Sequence, residues 1–134
     1  MRVMIDTNIL ISALLFPGDR INELMHLLIT KHQLILSSHV VEEFRNVTRR
    51  KFPDKVEISE SLLEQLPYKF IITPEKPPPG LFDIRDESDY PVLYSAVIEK
   101  VDVFITGDSD FKEVIVEKPE ILLPSKFLDK YGLL

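Results

Sequence analysis

Short apolar segments typical of buried strands alternate along this chain with longer stretches in which apolar residues recur at helical spacing. The strand-like segments are residues 2–5, 34–36, 68–73, 103–106 and 121–123. Such alternation predicts a parallel sheet, because consecutive parallel strands are joined by crossover connections that usually contain a helix. We therefore expect an α/β fold, a three-layer α/β/α sandwich around a central parallel sheet, formed by residues 1–134 as one domain.

Helix-start signals precede the amphipathic stretches that separate these strands. The residues that can begin helices are Asp19, Ser37 or Ser38, Ser61 in the capping box Ser61-Leu62-Leu63-Glu64, and Ser88 or Asp89 with Pro91 in the first turn. A further helix is expected after Pro124. These signals fill the intervals between the strands and support the same layered architecture.

Acidic residues stand where the predicted strands end. Asp6 directly follows the first strand, Asp108 lies just beyond the fourth, and Asp110 comes two residues later. The carboxyl ends of parallel strands share one edge of the sheet, where open α/β folds bind their ligands. Glu43, on the helix after the second strand, and Asp89, at the start of another helix, can reach the same edge. We expect these acids to converge.

Carboxylates that converge in one crevice repel each other strongly unless a cation lies among them. Oxygen ligands of this kind suit Mg²⁺ or Mn²⁺, and four acids spread over the chain are suited to one or two such ions. The candidate ligands are Asp6, Glu43, Asp89 and Asp108, and Asp110 lies just beyond the last of them. An ion in such a site activates a water and polarises a phosphoryl oxygen, which is sufficient to hydrolyse a phosphodiester.

Each acid also has a purely structural interpretation, and taken singly these interpretations remain open. The alternatives are a turn cap for Asp6, a turn residue for Asp108, a helix cap for Asp89, a loop residue for Asp86 and a surface acid for Glu43. The joint pattern, rather than any one acid, indicates the metal site.

Composition excludes some classes of site and partner. The chain has no cysteine, which rules out disulfides and thiolate metal sites and makes a cytoplasmic location the default expectation. No apolar run approaches the roughly 20 residues of a membrane span. The net charge of -6 is unfavourable for nucleic-acid binding, but Arg45, Arg49 and Arg50 are clustered close to Glu43. They form either a substrate-binding edge or a solvated helix face.

Four segments resemble, in order, the acidic motifs of PIN-domain ribonucleases. They are Met4-Ile5-Asp6-Thr7-Asn8-Ile9-Leu10, the stretch from Ser38 through Val41-Glu42-Glu43-Phe44, the stretch Asp86-Glu87-Ser88-Asp89-Tyr90-Pro91-Val92-Leu93 followed by Ala96, and Ile105-Thr106-Gly107-Asp108-Ser109-Asp110-Phe111. The resemblance spans nearly the whole chain. The first and last segments are the most specific, whereas Glu43 adjoins a second glutamate, Glu42.

The resemblance implies Mg²⁺- or Mn²⁺-dependent endoribonuclease activity on a three-layer fold. It implies that Asp6, Glu43, Asp89 and Asp108 are the catalytic, metal-binding acids, and that Asp110 is an auxiliary ligand. Asn8 and Thr106 would orient those acids or a water. Many prokaryotic members of that family are toxins held inactive by an antitoxin protein, so an antitoxin is an expected partner beside the RNA substrate. The proline-rich stretch 75–80 matches no family motif.

Two other functions remain open from the sequence. A PIN fold can bind RNA or protein without cutting it, and the acidic pattern also suits another metal-dependent phosphoryl-transfer enzyme. The apolar residues Leu14, Leu15 and Phe16, beside Pro17 and Gly18, are either core or a contact patch for a homodimer.

Overall fold

A computed structural model describes residues 1–132, and its five strands form one fully parallel sheet. The strands are β1 (Arg2–Ile5), β2 (Gln33–Ser37), β3 (Lys69–Ile71), β4 (Val103–Ile105) and β5 (Glu120–Leu122). Their order across the sheet is β3-β2-β1-β4-β5. Each predicted strand is present within two residues of its expected bounds, which confirms the parallel α/β sheet.

Six α-helices lie in the same residues 1–132. They are α1 (Thr7–Leu15), α2 (Asp19–Lys31), α3 (Ser38–Lys51), α4 (Val56–Gln65), α5 (Tyr90–Ile98) and α6 (Pro124–Tyr131). Helix α3 contacts α1, α4 and α5, whereas α2 contacts α6 as well as its neighbour α1. These two groups of helices are the outer layers of the predicted α/β/α sandwich.

The helix starts agree only partly with the sequence signals. Ser37 caps α3, because its Oγ accepts a hydrogen bond of 3.1 Å from the backbone N–H of Val40. Helix α2 begins at Asp19, as expected, although Gly18 occupies the cap position and no side chain caps it. Pro91 lies in the first turn of α5. The sequence therefore indicated where these three helices begin.

Two helices differ from expectation. The capping box at Ser61 is wrong as a helix start: α4 already begins at Val56 and Ser61 lies inside it. A 3₁₀ turn at Pro53–Lys55 leads directly into α4, so no loop remains for a second cap. Helix α1 was not expected at all, since residues 7 and 8 were interpreted as a turn; Asp6 caps a full helix instead.

The central strands carry the hydrophobic core. Val3, Met4 and Ile5 of β1 are fully buried, because helices cover both faces of a parallel sheet. The three apolar residues expected to be either core or a contact patch differ in burial. Leu15 belongs to the core, Leu14 is partly buried, and Phe16 is 51% exposed. Only the last of these three residues is available as an exposed contact.

The strand order creates a crevice at one edge of the sheet. From β1 the sheet extends through β2 and β3 on one side and through β4 and β5 on the other. The chain runs from β1 to β2 on one side and from β4 to β5 on the other, and ligands bind at such a switch point in open α/β sheets. Ile5 pairs with Ile105 here, so the residues that follow them emerge side by side. Among residues 1–132, no helix is long and apolar enough to cross a membrane.

Substitution of Phe44 tests how much the burial of α3 against the sheet contributes to the free energy of unfolding. Its ring is fully buried, and Phe44→Ala is expected to lower the free energy of unfolding by roughly 3–5 kcal/mol, because a large cavity replaces the ring. Urea denaturation measures this change. Phe70→Ala, at a ring that is 48% exposed on the edge strand β3, is the control and should cost less than about 1 kcal/mol. Equal losses for the two variants would contradict the described burial.

Candidate functional site: an acidic cluster at the switch point

Asp6 is held in place between β1 and β4. Its backbone N–H donates to the carbonyl of Ile105 at 3.0 Å. Its carboxylate accepts two hydrogen bonds of 2.8 Å, one from the backbone N–H of Thr7 and one from the hydroxyl of Thr106. The same hydroxyl accepts from the backbone N–H of Asp108 at 3.0 Å. Thr106, which is buried, therefore links the acid that follows β1 to the acid that follows β4.

The loop after β4 is a compact turn that fixes two further acids. The carboxylate of Asp108 accepts a 2.8 Å hydrogen bond from the backbone N–H of Asp110 and so caps the 3₁₀ turn Ser109–Phe111. The ring of Phe111 is buried edge-on against Phe104 of β4, with 5.2 Å between ring centroids. This packing holds the turn against the sheet and keeps Asp108 and Asp110 at the crevice.

A third segment brings two acids from the start of α5. Asp86 caps a 3₁₀ turn, accepting hydrogen bonds from the backbone N–H and the hydroxyl of Ser88 at 2.9 and 2.8 Å. Asp89 ends that turn, and its side chain makes no cap for α5. Carboxylate oxygens of Asp86, Asp89 and Asp110 all lie within 4.8 Å of one another. Asp89 therefore occupies the cap position of α5, as the helix-cap interpretation predicts, but its carboxylate belongs to the acidic cluster and makes no capping hydrogen bond.

Asp86 is the member of this cluster that the sequence analysis missed, because it was assigned to a loop. The signal was present in the three-residue spacing from Asp86 to Asp89. Asp86 caps the 3₁₀ turn and Asp89 ends it, so the same short turn brings both carboxylates into the cluster. Recognising this required knowing that the residues before Pro91 form such a turn rather than a loop or an α-helix.

The electrostatics of Asp89 show that the cluster carries more negative charge than it can neutralise. Burial, followed by repulsion from Asp108, Asp86, Asp6 and Asp110, raises the pKa of Asp89 to about 7. Its Oδ2 atom is buried and has no hydrogen-bond partner among the described residues. A carboxylate in this state either keeps its proton or requires a nearby cation.

Glu43 also acts on this site, from the second turn of α3. Burial raises the pKa of Asp6, and repulsion from Glu43 and Asp108 raises it further, against the lowering effect of the hydrogen bonds from Thr106 and Thr7. The repulsion of Asp6 by Glu43 indicates that the two carboxylates are near each other, although the Glu43 side chain is exposed. A metal-binding role for Glu43, rather than for the adjacent Glu42, stays a prediction.

The remaining predicted residues lie around the cluster or away from it. Asn8 is exposed on the first turn of α1. The guanidinium of Arg45 donates hydrogen bonds of 2.8 and 3.2 Å to the carboxylate of Glu60, and Arg49 donates to the side-chain oxygen of Asn46 at 2.8 Å. Arg50 is exposed on the same helix. Substrate binding by Arg45, Arg49 and Arg50 stays a prediction.

The donor set fits a hard divalent cation. Every candidate ligand is a carboxylate, and Mg²⁺ and Mn²⁺ prefer oxygen ligands. The unpartnered Oδ2 of Asp89 and the mutual repulsion of its neighbours are both conditions that a bound cation would relieve. The residues placed to hold an ion are Asp86, Asp89 and Asp110, with Asp6, Asp108 and Glu43 beside them. A cavity of about 410 Å³ beside Thr106 and Asp108 provides room for part of a substrate.

The raised pKa of Asp89 has a consequence for stability without metal. An unfolded chain loses this proton near the ordinary pKa of about 4, but the folded chain retains it up to about 7, so the folded state is penalised as pH rises between these values. Asp89→Asn removes the penalty. In EDTA at pH 8 the variant should be more stable by roughly 1–2 kcal/mol, since solvent partly screens the carboxylate, and the gain should shrink at pH 5.5. Urea denaturation at both pH values measures it. A loss of stability in the variant, or a gain independent of pH, would contradict the described repulsion.

Comparisons with known proteins identify the fold and the family of this chain. No curated protein matches the sequence. Among solved structures, one chain of the crystal structure of VapBC2 from Rickettsia felis bound to a DNA fragment from their promoter is similar in fold, with a TM-score of 0.67 and 17% sequence identity. The alignment covers 90% of this chain and 97% of that one. The family model described as PIN domain matches residues 2–110, which include all the acids of the site. The chain therefore belongs to the PIN domain family.

Proposed function

We propose that this protein is a Mg²⁺- or Mn²⁺-dependent endoribonuclease that hydrolyses RNA phosphodiester bonds, and that it is the toxin of a toxin–antitoxin pair. The observation that carries the proposal is the convergence of acids from four separate segments, among which the buried Oδ2 of Asp89 has no hydrogen-bond partner within residues 1–132. Membership of the PIN domain family supports it. The acids proposed to bind the ion and support catalysis are Asp6, Glu43, Asp89, Asp108 and Asp110, together with Asp86.

The chain's own residues have distinct tasks in this proposal. Thr106 keeps the carboxylate of Asp6 in one orientation through its 2.8 Å hydrogen bond, and its contact with the backbone of Asp108 aligns the second acid. Asn8, exposed on the first turn of α1, is placed to contact the substrate or a water. A bound divalent ion would supply a nucleophilic water at neutral pH and stabilise charge on the phosphoryl oxygens. Asp86 is held by Ser88, so its carboxylate is positioned before any ion binds.

The fold comparison supports the proposal that this chain pairs with an antitoxin protein. The similar chain comes from VapBC2, which was crystallised with a DNA fragment from its promoter. By analogy, we propose that this chain is paired with an antitoxin protein. A homodimer and a cytoplasmic location complete the proposal. Neither is needed for the chemistry of the site.

Removal of single carboxylates tests the catalytic assignment. Asp6→Asn and Asp108→Asn should lower Mn²⁺-dependent cleavage of a labelled single-stranded RNA by roughly 100-fold or more, because each change removes a charged ligand while keeping the side-chain size. Initial rates on denaturing gels measure the loss. Asp129→Asn, at an exposed aspartate on α6, is the matched control and should cleave like wild type.

Other outcomes would favour the alternative functions. Equal activity in all variants, or activity that survives a chelator, would reject the assigned site. Turnover of a small phosphomonoester without RNA cleavage would indicate another phosphoryl-transfer enzyme. A calorimetric titration with no Mn²⁺ binding, combined with tight binding of RNA or protein, would indicate a non-cleaving module.

A growth assay tests the toxin assignment. Expression of the wild-type chain alone should arrest bacterial growth, whereas Asp6→Asn should not, since arrest requires RNA cleavage. Co-expression of the small protein encoded by the adjacent reading frame should restore growth and should co-purify with this chain. Normal growth with an actively cleaving wild-type protein would contradict the toxin assignment and leave the nuclease assignment intact.

A further inference from the structure

We infer that Arg85 is a phosphate-binding residue of this site: its guanidinium lies beside Asp110 while no divalent ion is bound, and it contacts an RNA phosphate next to the acidic cluster once an ion occupies the carboxylates. The inference rests on the proposed nuclease function. It adds Arg85 to a site for which the sequence predicted only Arg45, Arg49 and Arg50 as basic substrate contacts.

The placement of Arg85 is the first reason. Its Nε lies 3.8 Å from the Oδ1 of Asp110, one of the three clustered acids, and the next residue, Asp86, is another of them. A separation of 3.8 Å is too long for a hydrogen bond, so the contact is electrostatic. The side chain of Arg85 is 74% exposed and donates no hydrogen bond within residues 1–132. Its planar set of N–H donors is therefore available to a ligand.

The second reason is that the other ion-paired cations lie outside the acidic cluster. Among the described residues, three further ion pairs are present, and each lies outside the acidic cluster: Arg45 with Glu60, Lys118 with Asp102, and Lys130 with Glu120. Arg49, another predicted substrate contact, is engaged with Asn46. Within residues 1–132, the ion pair that reaches the cluster is the one formed by Arg85.

Charge balance gives the third reason. Asp83, Asp110 and Glu113 line a surface cavity of about 300 Å³ around Arg85, so the surroundings repel an RNA backbone unless cations are present. A divalent ion at Asp110 would compete with the guanidinium for that carboxylate. The released guanidinium is suited to a phosphate, because its fork of donors matches two phosphate oxygens at once.

This arrangement predicts that Arg85→Ala has different effects on the binding of RNA and on the binding of the divalent ion. Arg85→Ala removes a phosphate contact, so RNA should bind more weakly when an ion is present. The same change removes a positive charge from the neighbourhood of the ion, so ion binding should stay equal or become tighter. A residue that merely supports the acids would weaken both. The two affinities together therefore separate the roles.

The experiment uses wild type, Arg85→Ala, Arg85→Lys and the control Arg20→Ala, which removes an exposed arginine from α2. Fluorescence anisotropy of a fluorescein-labelled single-stranded RNA is measured in EDTA and, at early times before denaturing gels detect cleavage, in Mn²⁺. Calorimetry without RNA gives the Mn²⁺ affinity. In Mn²⁺, Arg85→Ala should weaken RNA binding roughly 3- to 10-fold and reduce the slope of log affinity against log salt by about 0.7.

The EDTA measurement, the other variants and the cleavage kinetics each have an expected result. In EDTA, Arg85→Ala and wild type should bind RNA with equal affinity. In Mn²⁺, the RNA affinity of Arg85→Lys should lie between those of wild type and Arg85→Ala, and Arg20→Ala should match wild type. In cleavage assays, Arg85→Ala should raise KM with kcat within about twofold, as for a contact made equally in the ground and transition states.

Two results would overturn the inference while leaving the nuclease assignment in place. One is RNA binding by Arg85→Ala that equals wild type in Mn²⁺. The other is a parallel loss of Mn²⁺ and RNA affinity, which would make Arg85 a support for the acids. A wild-type protein that shows no Mn²⁺-dependent RNA binding or cleavage would overturn the proposed function and this inference together.

Discussion

Mutual repulsion among carboxylates at the carboxyl ends of β1 and β4 is the constraint on which the organisation of this protein depends. Asp6 directly follows β1, Asp108 lies three residues beyond the end of β4, and Thr106 hydrogen-bonds to the carboxylate of Asp6 and to the backbone N–H of Asp108. The parallel pairing of β1 and β4 therefore brings like charges close to each other. Burial, together with repulsion from these and neighbouring acids, raises the pKa of Asp89 to about 7. Cation binding is the means by which such a site gains stability.

The layers around the sheet determine which acids join this pair. Helix α3 leaves β2 on the side that carries Glu43 toward Asp6, and the 3₁₀ turn before α5 brings in Asp86 and Asp89. The buried ring of Phe111 holds the loop that supplies Asp110. Four separate segments of the chain thus position the six acids. A site assembled in this way is oriented before its ligands arrive, which lowers the cost of binding them.

The negative net charge of -6 is consistent with a nucleic-acid substrate once its distribution is considered. Six acids lie at or beside the crevice, where a divalent ion would reverse the local field. Arg85 adds a positive charge at the rim of the cluster, against Asp110. Two of the arginines of α3, which are more prominent in the sequence, make contacts within the protein. Exposure and partners, rather than the number of basic residues, therefore decide which cations can meet a phosphate.

The sequence alone determined the strands, the parallel α/β class, the Ser37 cap and the acids that follow strands, because hydrophobic periodicity and capping act between residues close in the chain. Helix α1, the start of α4 and the participation of Asp86 depended on tertiary structure. Local signals near Asp6, Ser61 and Asp86 suit turns, caps and helices equally well, and packing selects among them. The pairing of Arg85 with Asp110 spans 25 positions of the chain, and no local pattern encodes a contact that only the folded crevice brings together.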